Sequence, residues 1–258
     1  MVTVFYSFLF LFLLYLFALM PKRHRKIEKG FYTHRGHHTM DQSVPENTLQ
    51  AFKRSMDHAY GIELDVQLSK DGVVYVFHDD DLKRLFGDER LFESMLSEEI
   101  DRLRLNGEKI PRFQEVLELV SGRVPLIVEL KSCKRYRQLS DKTMNLLKHY
   151  QGTYVVESFD PRVIVYFRRK YPEIIRGFLI METKRYDKPK LAYVLTSLFL
   201  NLFMRCDFIA IEKKLYDKHW PSKVFKALGG ELVLWTIHKS DKIEEEIVIF
   251  EYFEPRGL

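Results

Sequence analysis

The chain has 258 residues, 46% hydrophobic and 30% charged, enough to bury one sizeable core beneath a well-charged surface. Its net charge of +5 is small and four cations fall within residues 22–26, so the spread basic footprint of a nucleic-acid binder is missing and nucleic acid is excluded as an expected partner. Two distant cysteines, Cys133 and Cys206, exclude a disulfide-stapled scaffold, and no protein partner is predicted.

Residues 2–20 form an uncharged run dominated by Phe and Leu, which as a helix would reach roughly 28 Å. No charge precedes the run, and its exit, Pro21-Lys22-Arg23-His24-Arg25-Lys26, lacks a small-residue cleavage site. The expectation is an uncleaved transmembrane anchor over residues 1–21 and a basic juxtamembrane linker over 22–30. Cations beside a span stay inside the cell, so the protein is expected to be a single-pass protein of the cell membrane with its remaining domain, residues 31–258, in the cytoplasm.

In that domain, short apolar runs at 31–34, 62–66, 124–130, 154–157, 175–180, 208–211, 232–237 and 247–250 alternate with stretches of helical period such as 48–59 and 113–120. This alternation predicts an α/β fold with a parallel sheet and outer helices, and eight runs suit one closed (β/α)8 TIM barrel. A further run at 73–77 follows Lys70-Asp71-Gly72 too closely for a crossover helix, so a small hairpin-like insertion after the second strand is expected over the barrel mouth.

Glu63 and Asp65 are two apart in a strand run and project to one side, where their charges repel unless a cation lies between them. Hard divalent cations take such oxygen ligands, and Glu129 can add a third from a neighbouring strand. A lone Glu-x-Asp is commonly a surface pair, but its surroundings count here. His34-Arg35-Gly36 ends the first strand run and His78-Asp79 ends the insertion run, where barrels build active sites. Two imidazoles can divide the base and acid roles of a hydrolysis. Arg35 offers a planar fork to phosphate oxygens, and Lys131 is a second cation on the strand of Glu129. Pro45-Glu46-Asn47-Thr48 reads locally, with Asn47 or Thr48 as helix cap and Glu46 as a solvated charge.

In this order the motifs His34-Arg35-Gly36, Pro45-Glu46-Asn47-Thr48, Glu63-Leu64-Asp65-Val66, Lys70-Asp71-Gly72, His78-Asp79, Val128-Glu129-Leu130-Lys131, Ser158-Phe159-Asp160 and Trp235-Thr236 resemble the glycerophosphodiester phosphodiesterase family over roughly residues 31–240. The resemblance implies a (β/α)8 barrel in which Glu63, Asp65 and Glu129 bind one Mg²⁺ or Ca²⁺, His34 and His78 serve as acid and base, and Arg35, Lys131 and Trp235 contact substrate. Family members release glycerol 3-phosphate and an alcohol from glycerophosphodiesters. Two departures stand out. The family commonly ends its last strand with Thr-Asp-x-Pro where this chain has Glu251-Tyr252-Phe253-Glu254-Pro255, and Ile237-His238 replaces a frequent Val-Asn.

Some anchored members act on lysophospholipids, so a lysolipid is the alternative substrate. The anchor and the nearly uncharged run at 191–204 support it, although an ordinary barrel helix is the simpler reading of that run. If it instead lies at the mouth, it is expected to dip into the leaflet, with Lys184, Arg185, Lys188 and Lys190 meeting headgroups. A catalytically inactive barrel binding lipid or phosphate is the alternative from outside enzymology.

Overall fold

Strands rich in Ile, Val and Leu on both faces can only be buried on both faces, and they do so here in a closed parallel sheet. The computed structural model describes residues 2–22, 26–186 and 188–255. Its barrel strands are β1 (Gly30–Thr33), β2 (Gly61–Leu68), β3 (Leu126–Leu130), β4 (Tyr154–Ser158), β5 (Arg176–Ile180), β6 (Phe208–Glu212), β7 (Glu231–Ile237) and β8 (Ile247–Phe250). Each pairs in parallel with its neighbour in sequence, and β1 closes the ring by pairing with both β2 and β8. The expected (β/α)8 barrel is therefore the fold.

Alternation along the strands sorts two cores. Ile62, Leu64, Val66, Leu126, Val128 and Leu130 join the large outer core beneath the helices. Tyr32, Ile127, Val155, Leu179, Phe208, Val233 and Ile249 form a smaller core of the opposite phase, inside the barrel. Glu63, Asp65, Glu129 and Glu157 share that inner phase, and Glu129 and Glu157 each stand one residue from the C-terminal end of their strand.

The principal helices are α1 (Val2–Ala18), α2 (Leu49–Asp57), α3 (Phe113–Val120), α4 (Tyr136–Leu147), α5 (Pro161–Lys170), α6 (Pro189–Thr196), α7 (Asn201–Met204) and α8 (Trp220–Ala227), with further one-turn helices between. Local chemistry starts two of them: Thr48 accepts from Ala51 N to cap α2, and Asp160 accepts from Arg162 N to cap α5 ahead of Pro161.

The N-terminal expectation needs correction. Helix α1 has 17 residues and stops at Ala18, and among the described residues no helix is long and apolar enough to cross a membrane. The expected transmembrane anchor over residues 2–20 is shortened because its end is taken up by the barrel wall. Ala18 and Leu19 are buried. Asn201 Nδ2 donates to Ala18 O at 2.9 Å and Met20 O at 3.1 Å, and Arg205 Nη1 donates to Phe17 O at 2.9 Å. Of the basic cluster, Arg23, His24 and Arg25 lie outside the described residues. The run at 191–204 is α6, a turn and α7 on the barrel flank, with Leu195, Leu198 and Met204 in the core and Tyr193, Phe199 and Phe203 exposed.

The insertion after β2 is larger than expected. Its first strand, Val74–Val76, pairs antiparallel with β2 as a hairpin, not as a ninth barrel strand. Two further small hairpins follow, and Tyr75, Phe77, Leu82, Phe92, Met95, Ile100 and Ile110 give the segment a core of its own. The short apolar runs were too scattered in sequence to show a shared core.

Gly36 sets the turn after β1. It has φ +78°, and a Cβ there would fall 2.9 Å from both Ala51 Cβ and Phe52 Cδ1. Gly36→Ala is expected to destabilise the protein by about 1–3 kcal/mol through strain and crowding, read as a lowered thermal midpoint. An unchanged midpoint would show that α2 yields to the extra methyl.

Candidate active site

Three neighbouring strands bring the acidic residues together. Asp65 on β2 is in register with Glu129 on β3, and Glu129 with Glu157 on β4. Glu63, Asp65 and Glu129 are buried and can each offer a carboxylate oxygen within 4.8 Å of the others. Burial, then the charges of Asp65 and Glu129, push the Glu63 carboxyl well above its usual range. Burial acts the same way on Asp65 but is overcome: Lys131, His78 and Arg35, with a hydrogen bond from Asn47, hold its carboxyl well below. Lys131 Nζ lies 2.9 Å from Glu129 Oε1 and 3.4 Å from Asp65 Oδ1. Buried oxygens at Asp65 Oδ1 and Glu157 Oε2 have no hydrogen-bond partner. Such an all-oxygen, over-negative set fits a hard divalent cation.

Both predicted histidines face this cluster, each backed by a carboxylate. His34 Nδ1 lies 2.8 Å from Glu251 Oε2, and His78 Nδ1 lies 2.6 Å from Asp79 Oδ1. With Nδ1 so engaged, the Nε2 of each ring is left for other chemistry. Burial and the neighbouring Arg35 pull the His34 imidazole down to about 4, an effect that Glu251 partly offsets.

Arg35 is partly committed to the protein. Its backbone N donates to Glu63 Oε2 at 2.9 Å, orienting that carboxylate, while its guanidinium Nη1 donates to Glu46 Oε1 at 2.7 Å and its Nε lies 3.6 Å from Asp65 Oδ2. The reading of Glu46 as a solvated charge is overturned. It is buried and receives hydrogen bonds from both Arg35 and Arg84, which outweigh burial and bring its carboxyl down to about 2. Asn47 Nδ2 donates to Asp65 Oδ2 at 2.9 Å, while Thr48 takes the cap.

One cavity of about 650 Å³ at the barrel mouth is lined by His34, Arg35, Glu63, His78, Glu129, Lys131 and Trp235. Asp65 sits directly beneath through Lys131. Every predicted site residue is thus gathered in one place. Trp235 packs edge-on against Phe159 with centroids 5.7 Å apart, and its indole Nε1 is buried without a partner.

Sequence reasoning gave no site role to five residues: Glu157, Glu251, Asp79, Glu46 and Arg84. Glu157 had a signal, an acidic residue in an apolar strand run as at Glu129. Glu251 lay where the chain departs from the Thr-Asp-x-Pro pattern and so passed unread, although it supplies a carboxylate to His34.

Comparison with known proteins follows the same line. The model of the glycerophosphoryl diester phosphodiesterase family matches residues 34–255. A glycerophosphodiester phosphodiesterase of Caldanaerobacter subterraneus is 38% identical over a stretch covering 51% of this chain and 55% of that protein. One from Bacillus altitudinis is 34% identical over 58% of this chain and 66% of that protein. The matches thus span between about half and two thirds of these relatives' length. Among solved structures, a glycerophosphodiester phosphodiesterase from Thermotoga maritima superposes with a TM-score of 0.66 at 27% identity, covering 88% of this chain and 96% of that one. A phosphodiesterase from Oleispira antarctica, solved with the product sn-glycerol-3-phosphate, shares the fold at 22% identity, with a TM-score of 0.67 and coverage of 92% and 94%.

The Glu251–His34 contact can be tested without any substrate. Because the Glu251 charge raises the His34 pKa, Glu251→Gln is expected to make the imidazole titrate lower still, as read from the pH dependence of its ring resonances by NMR. A midpoint unchanged from the parent would break the pair.

Proposed function

The chain belongs to the glycerophosphoryl diester phosphodiesterase family, and on that premise we propose that it hydrolyses a glycerophosphodiester to glycerol 3-phosphate and an alcohol. The observation that carries this reading is the convergence on one cavity of three buried carboxylates, two cationic side chains and two carboxylate-backed imidazoles. The site suits acid and base chemistry at a phosphate, and the product bound to the Oleispira antarctica protein suits the same reaction.

Glu63, Asp65 and Glu129 would hold one divalent cation, Mg²⁺ or Ca²⁺. When bound, such an ion neutralises developing phosphate charge and acidifies a nearby hydroxyl or water. The protein's own residues do the rest. One of His34 and His78 accepts the proton of the attacking oxygen, and the other returns a proton to the leaving alkoxide. Glu251 and Asp79 keep each ring turned with Nε2 toward the cavity. Arg35 and Lys131 steady the phosphate oxygens, and the Trp235 face closes the substrate side.

A lysolipid is the second reading of the substrate, favoured by the exposed aromatic and aliphatic residues on α1, α6 and α7. Product analysis with glycerophosphocholine and lysophosphatidylcholine side by side, with and without chelator, separates the two substrate readings. No product from either would favour an inactive phosphate-binding barrel.

Replacing Glu63, Asp65 or Glu129 with Ala is expected to abolish most activity and weaken divalent-cation binding in calorimetry, with the fold retained. Full activity in excess chelator, with bound metal shown to be absent, would sink the metal assignment.

His34→Ala and His78→Ala should each lower kcat by about 100-fold or more while cation affinity survives. Wild-type kcat in either variant would remove that histidine from the mechanism.

A further inference from the structure

We propose that α1 and the outer face of α6 and α7 form one docking surface for an anionic lipid bilayer. The first observation is exposure without direction. Residues 3–13 of α1 are all exposed, Phe8 to 70%, and none is charged. Successive helical residues point about 100° apart, so eleven in a row present apolar groups on every side. A second copy of the chain would cover one stripe of such a helix. Hydrocarbon covers all of it.

The second observation is continuity with the barrel. Tyr15 Oη donates to Ser197 O at 2.6 Å, between α6 and α7, and the Tyr15 ring packs edge-on against Trp220 at 5.5 Å. The Arg205 guanidinium lies 4.2 Å above the Phe17 ring. From this junction the apolar surface runs on over Tyr193, 68% exposed, Val194, Phe199, Phe203 and Trp220. Tyr and Trp with a polar edge suit the level of the headgroups.

Charge selects the kind of bilayer. Before Glu28 the sequence holds four cations and no acid, and residues 188–205 hold Lys188, Lys190 and Arg205 and no acid. Taking these seven charges from the net +5 leaves the rest of the chain at −2, so the whole positive excess belongs to the two segments that carry the exposed apolar residues. Arg185, three residues before Lys188, lines the cavity, so a lipid surface docked here would adjoin the mouth. This inference stands apart from the proposed chemistry.

Flotation of the full-length protein with vesicles of phosphatidylcholine, with and without phosphatidylglycerol, tests it. The parent is expected to float with both and more strongly with phosphatidylglycerol. Phe8→Glu with Leu11→Glu should abolish flotation. Tyr193→Glu with Phe203→Glu should weaken it by about tenfold, and Lys188→Glu with Lys190→Glu should reduce the lipid preference. Thermal unfolding controls for the fold; should the barrel-side Glu pair unfold, Tyr193→Ser with Phe203→Ser replaces it. A parent that stays with the sediment, equal flotation with both vesicles, or barrel-side variants that bind like the parent would each overturn the proposal. So would a dimer in sedimentation analysis that vesicles fail to compete away, which would mark the surface as a contact between copies.

Discussion

Three carboxylates, Asp65, Glu129 and Glu157, are forced into one buried row by the register of β2, β3 and β4, with Glu63 two residues before Asp65 on the same face, and the rest of the mouth is arranged around their repulsion. Burying like charges is costly unless counter-charges and hydrogen bonds surround them. Lys131 sits between Asp65 and Glu129, Asn47 donates to Asp65, and the backbone N of Arg35 donates to Glu63. Burial together with Glu129 and Asp65 leaves the Glu157 carboxyl well above its usual range, so this end of the row is the least compensated.

Compensation spreads outward from there. Arg35 is itself held by Glu46, and Glu46 by Arg84, which also reaches Asp79 at 2.7 Å. Asp79 in turn holds His78. One continuous polar path therefore joins the β1 and β2 ends to the insertion, and the insertion's own core keeps that path in place. On the other side, Glu251 after β8 holds His34. The two imidazoles are fixed from opposite margins of the mouth by carboxylates that the barrel strands do not supply.

The flank away from this charged mouth is apolar, and the same segment serves two ends. Asn201 ties α7 to the end of α1 through Ala18 O and Met20 O, while its carbonyl oxygen accepts from Cys206 N. Its burial is affordable only because each of its polar atoms has a partner. The packing that stops α1 at Ala18 also joins it to the exposed aromatic residues of α6 and α7.

By itself the sequence determined the barrel, because eight apolar runs separated by helical periods leave few other ways to bury strands on both faces. It also determined that Glu63 and Asp65 share one side of the sheet, since period two along β2 permits nothing else, whereas the register of β2 with β3 brings Glu129 beside them. A helix cap at Asn47 or Thr48 was legible because capping is local, while the fold gave the cap to Thr48 and turned Asn47 to Asp65. Tertiary structure alone decided the roles of Glu46 and Glu251, whose partners lie far away in sequence, Glu46 being 38 residues from Arg84 and Glu251 217 residues from His34. It alone decided where α1 ends, since hydropathy runs on to Met20 while Asn201 and Arg205 take hold of residues 17–20 from the opposite end of the chain. Composition can say that a residue is apolar or charged, but a charge buried at a mouth is defined by what the fold brings against it.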